Sequence, residues 1–114
     1  MSDLAFQSAT DLAKGIQEKT FSSLEITELY IDRIEQHDGE INAVVVRIFD
    51  RALEDARNAD AALARGENLG PLHGVPMTIK ESYVIADTPT TWGLDDFRDN
   101  NPKKDGLAVQ RFKS

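Results

Sequence analysis

Cysteine is absent from this 114-residue chain, which excludes disulfides and thiolate metal sites. Histidine is nearly absent too. His37 and His73 stand far apart in sequence with no ligand spacing, so neither a metal nor any other cofactor is expected. Long apolar runs are missing: the longest aliphatic stretch is "AVVV", far too short to span a bilayer. The opening "MSDLAFQSATDL" has no basic stretch ahead of an apolar core, so no secretory signal is read there. Positive charge is scarce, with a net charge of −7 that argues against a phosphate-backbone partner. The exception is the end of the chain, where Lys103, Lys104, Arg111 and Lys113 face one acidic residue, Asp105, and read as a solvated helix face. No repeat and no low-complexity tract is present. These absences lead to the expectation of a cytoplasmic protein with neither a nucleic-acid nor a membrane partner.

What the chain does have is 40% hydrophobic residues, enough for the core of one modest domain. "SATDLAKGIQEK" reads as a first helix opening near Ser8. "SSLE" is a capping-box pattern, with Ser22 as cap and Glu25 three residues on; it opens a second helix to about His37, with Gly39 as the stop. On that helix Glu25, Glu28, Asp32 and Glu35 crowd one arc. Leu24, Ile26, Leu29, Tyr30, Ile31 and Ile34 spread over more than half the circumference, an apolar surface that needs protein on more than one side.

"INAVVVRI", residues 41–48, is β-branched and almost continuously apolar, as a strand buried on both faces reads. A helix from Phe49 to about Arg65, closed by Gly66, follows, with a stripe of Phe49, Ala52, Ala56, Ala59 and Leu63. "GVPMTI" then reads as a second strand, interrupted or at an edge where Pro76 lacks a donor. The expectation is a β-α-β unit with strands near 43–48 and 75–80 and a helix near 50–65 between them. From Glu81 to Lys104 the pattern dissolves into turns and polar loop, and helical character returns at "DGLAVQRFKS". Two strands make no stable sheet by themselves. The fold class expected is therefore α/β, with residues 1–114 a single incomplete domain, the N-terminal piece of a larger protein.

Lys80 is the leading functional candidate. It stands at the carboxyl end of the second expected strand, the edge at which α/β sheets bind ligands. A partly buried lysine there can serve as base, charge clamp or nucleophile. An exposed lysine with no role is the plainer alternative. Ser82, two residues on, could pair with it, but nothing local orients the hydroxyl. His73 reads as a structural histidine before the strand, and His37 as a partner of its helix dipole. Thr90 and Thr91 beside a proline read as turn residues or substrate contacts, and Trp92 as core or rim.

The segment "GPLHGVPMTIKES" closely resembles the surroundings of the catalytic lysine in the amidase signature family. "SSLEITELYIDRIEQHDGEINAVV", "ALEDARNADAALARGENLGPLHGVPMTIKE", "TPTTWG" and "DGLAVQRFK" are similar to the family in the same order and at similar spacing, so the likeness covers residues 8–114. The resemblance implies a partial three-layer α/β/α fold and a metal-free serine hydrolase of carboxamides. Such an enzyme works with a Ser–cis-Ser–Lys triad, in which Lys80 matches the lysine and passes protons as general base and acid. It implies a small-molecule amide as substrate. The triad's two serines belong to a Gly/Ser-rich segment that this sequence does not contain. The pair in "FSSLE" lies in a helix cap ahead of the expected strands. Val84 and Asp87 stand where many relatives carry aspartate and glycine; aspartate tolerates a left-handed backbone better than most residues. Residues 1–114 alone are thus expected to be inactive, and to self-associate or pair with a C-terminal remainder. Two alternatives stay open: a naturally short, non-catalytic binding or assembly module built on the amidase fold, and the amidase subunit of a tRNA-dependent amidotransferase.

Overall fold

The computed structural model describes residues 4–114. It holds four α-helices: α1 (Ala9–Gln17), α2 (Ser23–His37), α3 (Phe49–Ala64) and α4 (Leu107–Lys113). Short 3-10 turns lie at Leu4–Phe6 and Asp95–Phe97. The chain forms two compact units, the first ending at Met77 and the second running Thr78–Ser114.

In the first unit α1 and α2 open on side-chain caps, and α1 and α3 close in paired turns. Ser8 caps α1, its Oγ accepting the Asp11 amide at 3.1 Å and donating to the Asp11 carboxylate at 2.7 Å. Leu12, Gly15 and Ile16 form the buried face of α1. A Cβ at Gly15 would lie 2.1 Å from Cζ of Phe21, so a larger residue there would have to displace that ring. The helix closes in a paired turn: Lys19 N–H donates to the Ile16 carbonyl at 3.0 Å and Thr20 N–H to the Gly15 carbonyl at 2.9 Å. Lys19, at φ 57°, occupies the left-handed position. The end of α3 repeats this design, with Gly66 N–H on Leu63 and Glu67 N–H on Ala62, and there the left-handed residue is Gly66 at φ 81°.

The capping box of α2 forms as read. Glu25 N–H donates to Ser22 Oγ at 3.0 Å, and Ser22 N–H donates to the Glu25 carboxylate at 2.7 Å. A second cap arrives from α3: the Asp60 carboxylate accepts the amides of Ser23 at 2.7 Å and Leu24 at 3.0 Å. The Ser23 hydroxyl donates to the Gly74 carbonyl at 2.6 Å. These bonds join α2, α3 and the following loop around a core of Leu12, Ile16, Ile26, Ala56 and Ala62. Of the expected stripe on α3, Ala56 is buried and Phe49, Ala52, Ala59 and Leu63 are half-buried. On α2, Leu24, Leu29, Tyr30, Ile31 and Ile34 remain half-buried, so its broad apolar arc is only partly covered.

The helix expected between two strands is present, but the strands are not. Among the described residues no strand forms, and the β-α-β unit is corrected to a helix between two irregular segments. The reason is visible at Asp38, buried at the end of α2. Its carboxylate accepts the amides of Ala43 at 2.7 Å and Val44 at 3.1 Å and the Arg47 guanidinium at 3.1 Å. Those amides are donors a ladder would need. Asn42, at φ 54°, turns the chain within the same loop, with its amide on the Asp38 carbonyl at 2.7 Å. In residues 75–80 the amide of Val75 is taken by the Leu72 carbonyl at 3.0 Å, and Pro76 has none to offer.

The second unit is mostly loop, yet it is cross-linked. Asp87 N–H donates to the Pro102 carbonyl at 2.8 Å, Thr90 N–H to Asn100 at 2.9 Å and Gly106 N–H to Val84 at 2.9 Å. The Asn100 side-chain amide returns a bond to the Thr90 carbonyl at 2.8 Å. Lys103 pairs with Asp87 at 2.8 Å, and Lys113 with Asp105 at 2.7 Å. Asp87 adopts φ 60°, a left-handed backbone that aspartate tolerates better than most non-glycine residues. Val109 is the buried residue of α4.

Candidate active site

Lys80 lies at the end of the irregular segment 75–80 and opens a turn in which Tyr83 N–H donates to its carbonyl at 2.9 Å. Its side chain is exposed, and among the described residues its ammonium makes no ion pair or side-chain hydrogen bond. The expectation of a partly buried lysine at a sheet edge is therefore not met within this chain. No bond joins it to the half-buried Ser82 among the described residues.

What stands beside Lys80 is a built arrangement that local sequence reading missed. One carboxylate oxygen of Glu81, Oε1, accepts both the backbone N–H and the hydroxyl of Thr91, each at 2.8 Å. The Thr91 hydroxyl in turn accepts Gly93 N–H at 3.1 Å. The Thr91 amide foremost, then its hydroxyl, and lastly the charge of Lys80 hold the Glu81 carboxyl below its ordinary range, against the opposing effect of burial. Glu81 and Thr91 are ten residues apart, and no spacing rule connects them. Trp92, expected as core or rim, is 67% exposed and held at φ 56°. The hydroxyl of buried Thr90 has no hydrogen-bond partner among the described residues.

The remaining candidates have local occupations. Both ring nitrogens of His73 are engaged: Nδ1 accepts the Leu69 amide at 3.1 Å, so Nε2 carries the proton that it donates to the Ala59 carbonyl at 2.8 Å. His37 is exposed in the last turn of α2. Among the described residues no cluster of His, Cys, Asp and Glu could hold a metal ion, and no helix is long and apolar enough to cross a membrane.

The Amidase family model matches residues 25–114, so this chain belongs to the amidase family. Curated relatives include a glutamyl-tRNA(Gln) amidotransferase subunit from Moorella thermoacetica, 41% identical over 97% of this chain and 23% of the relative. They also include an acylamidase of Rhodococcus erythropolis, 34% identical over 97% of this chain and 23% of the relative. Among solved structures, a bacterial aryl acylamidase of the amidase signature family superposes with a TM-score of 0.86 at 28% identity, over 95% of this chain and 23% of its own. A vestigial protein complex bearing on the origins of an s-triazine catabolic enzyme gives a TM-score of 0.87 at 32% identity, over 94% of this chain and 24% of its own. The described residues thus share the fold of the corresponding part of amidase-signature enzymes. The chain spans just under a quarter of the length of these proteins.

Proposed function

We propose that this chain is the lysine-bearing N-terminal portion of an amidase-signature amidohydrolase, with both of its units belonging to one incomplete α/β/α domain. The reaction is hydrolysis of a small carboxamide to a carboxylate and ammonia or an amine. Lys80 takes the proton that a nucleophilic serine gives up through a second serine, and later returns it to the leaving nitrogen. The observation that carries this reading is the position of Lys80 and its motif inside the matched span 25–114. The two serines and the oxyanion donors come from the part of the enzyme beyond this segment. That part also supplies the cover for the apolar arc of α2.

A role as the amidase component of an amidotransferase is a second reading, favoured by the 41% identity to the Moorella thermoacetica relative. The two readings divide on an assay. A complete enzyme that carries this segment and hydrolyses simple amides alone is a stand-alone amidase; one that releases ammonia from glutamine only with partner proteins is an amidotransferase. In either, Lys80→Ala is expected to lower kcat by several orders of magnitude with the fold intact. Near-parental turnover by a folded Lys80→Ala enzyme overturns both.

A further inference from the structure

We infer that Glu81 is a positioning residue for Lys80, its carboxylate pinned by the amide and hydroxyl of Thr91 so that the turn carrying the lysine is held in place. The inference rests on the reading of Lys80 given above.

Among the described residues, the stretch 76–79 just ahead of Lys80 has no such hold. Residues 75–80 form no ladder and no helix. On the C-terminal side, two contacts fix the main chain that Lys80 shares: the Tyr83 amide on its own carbonyl, and the Glu81 carboxylate on Thr91. The anchor is itself tied down. Thr91 receives the Gly93 amide, and its neighbour Thr90 exchanges two hydrogen bonds with Asn100. Glu81, and with it Lys80 one peptide away, therefore shifts only if Thr91 yields as well.

Two features set this apart from an ordinary loop bond. Both donors converge on one oxygen of a charged acceptor, the strong form of hydrogen bond. The Glu81 charge, shared with the Thr91 donors, also feels that of the neighbouring Lys80. A proton-transferring group must sit within hydrogen-bond reach of its partner, and an error of about 1 Å can cost ~100-fold in rate.

The test uses a complete amidase carrying this segment. Glu81→Ala is expected to lower kcat by roughly 10- to 100-fold with KM little changed. Glu81→Gln, whose amide oxygen can still accept both Thr91 bonds, should restore most of that loss. Thr91→Val should fall toward Glu81→Ala, and Thr91→Ser should recover. In a Lys80→Ala background, Glu81→Ala should bring no further loss, because the residue acts through the lysine. A purely structural residue would lower the residual rate again. Should Glu81→Ala not fold, the Thr91→Val and Thr91→Ser pair carries the same comparison. Parental kcat in Glu81→Ala or Thr91→Val, or additive losses in the double variant, overturns the inference while leaving the role of Lys80 standing. Parental turnover in Lys80→Ala overturns the reading beneath it instead.

Discussion

Asp60, in the last turns of α3, caps the first turn of α2 by accepting the amide of Ser23 at 2.7 Å. The same carboxylate takes the Leu24 amide at 3.0 Å, so one side chain satisfies two donors that a helix start leaves open. This is a tertiary cap laid over the local capping box of Ser22 and Glu25, with a negative charge at the positive end of a helix dipole.

Asp60→Ala is accordingly expected to destabilise the first unit by about 1–3 kcal/mol, since it strands two helix-start amides in partly buried surroundings. Asp60→Asn, which keeps an acceptor oxygen, should lose less. Urea denaturation followed by far-UV circular dichroism measures both. Equal stability of Asp60→Ala and the parent would remove this cap from the account of the fold.

The ends of α1 and α3 share one hydrogen-bond pattern but place Lys19 and Gly66 in the left-handed position. A side chain there costs roughly 1 kcal/mol that glycine avoids. Lys19→Gly should therefore stabilise the chain by about 0.5–1 kcal/mol, and Gly66→Ala should destabilise it by a similar amount. Opposite shifts of the melting temperature are the expected result; shifts of one sign would contradict it.

Acid should loosen specific turns. The Ala43 amide foremost, then the Val44 amide and Arg47, hold the Asp38 carboxyl below its usual value, although burial pushes the other way. Glu25, through the amide and hydroxyl of Ser22, and Glu81, through Thr91, are lowered too. A carboxyl lowered on folding adds stability that is complete above its unfolded value and is lost as pH falls through the folded value. Stability should therefore decline as pH drops from about 5 toward about 2, and Asp38→Asn should flatten part of that decline. Denaturation midpoints across this range test it. An unchanged slope in Asp38→Asn would assign the acid sensitivity elsewhere.

Residues 1–114 by themselves should associate and show no amidase activity. Ile41, Val45, Leu69 and Met77 are exposed in the first unit, and Trp92, Leu94, Leu107 and Phe112 in the second. A few hundred Å² of such surface is worth several kcal/mol at about 25 cal/mol per Å², comparable with the whole stability of a small domain. Sedimentation and an amide-hydrolysis assay on the purified chain are the measurements. A monomer with a sharp cooperative melt would favour the non-catalytic module, and turnover abolished by Lys80→Ala would overturn the expectation of inactivity.

The sequence by itself determined the helices and several of their ends, because those signals act within a few residues: the Ser22–Glu25 box, the glycine after α3, the 3.6-residue stripe through Ala56. Through the motif around Lys80 it also determined the amidase family. Tertiary structure alone decided the rest. A strand exists only when another chain segment supplies its hydrogen-bond partners, so the apolar pattern of 41–48 could not foretell that Asp38 takes the Ala43 and Val44 amides instead. The Glu81–Thr91 clamp and the Asp60 cap depend on residues brought together across ten and thirty-six or more positions. No local period or spacing encodes such meetings; they appear only when the intervening chain has folded back on itself.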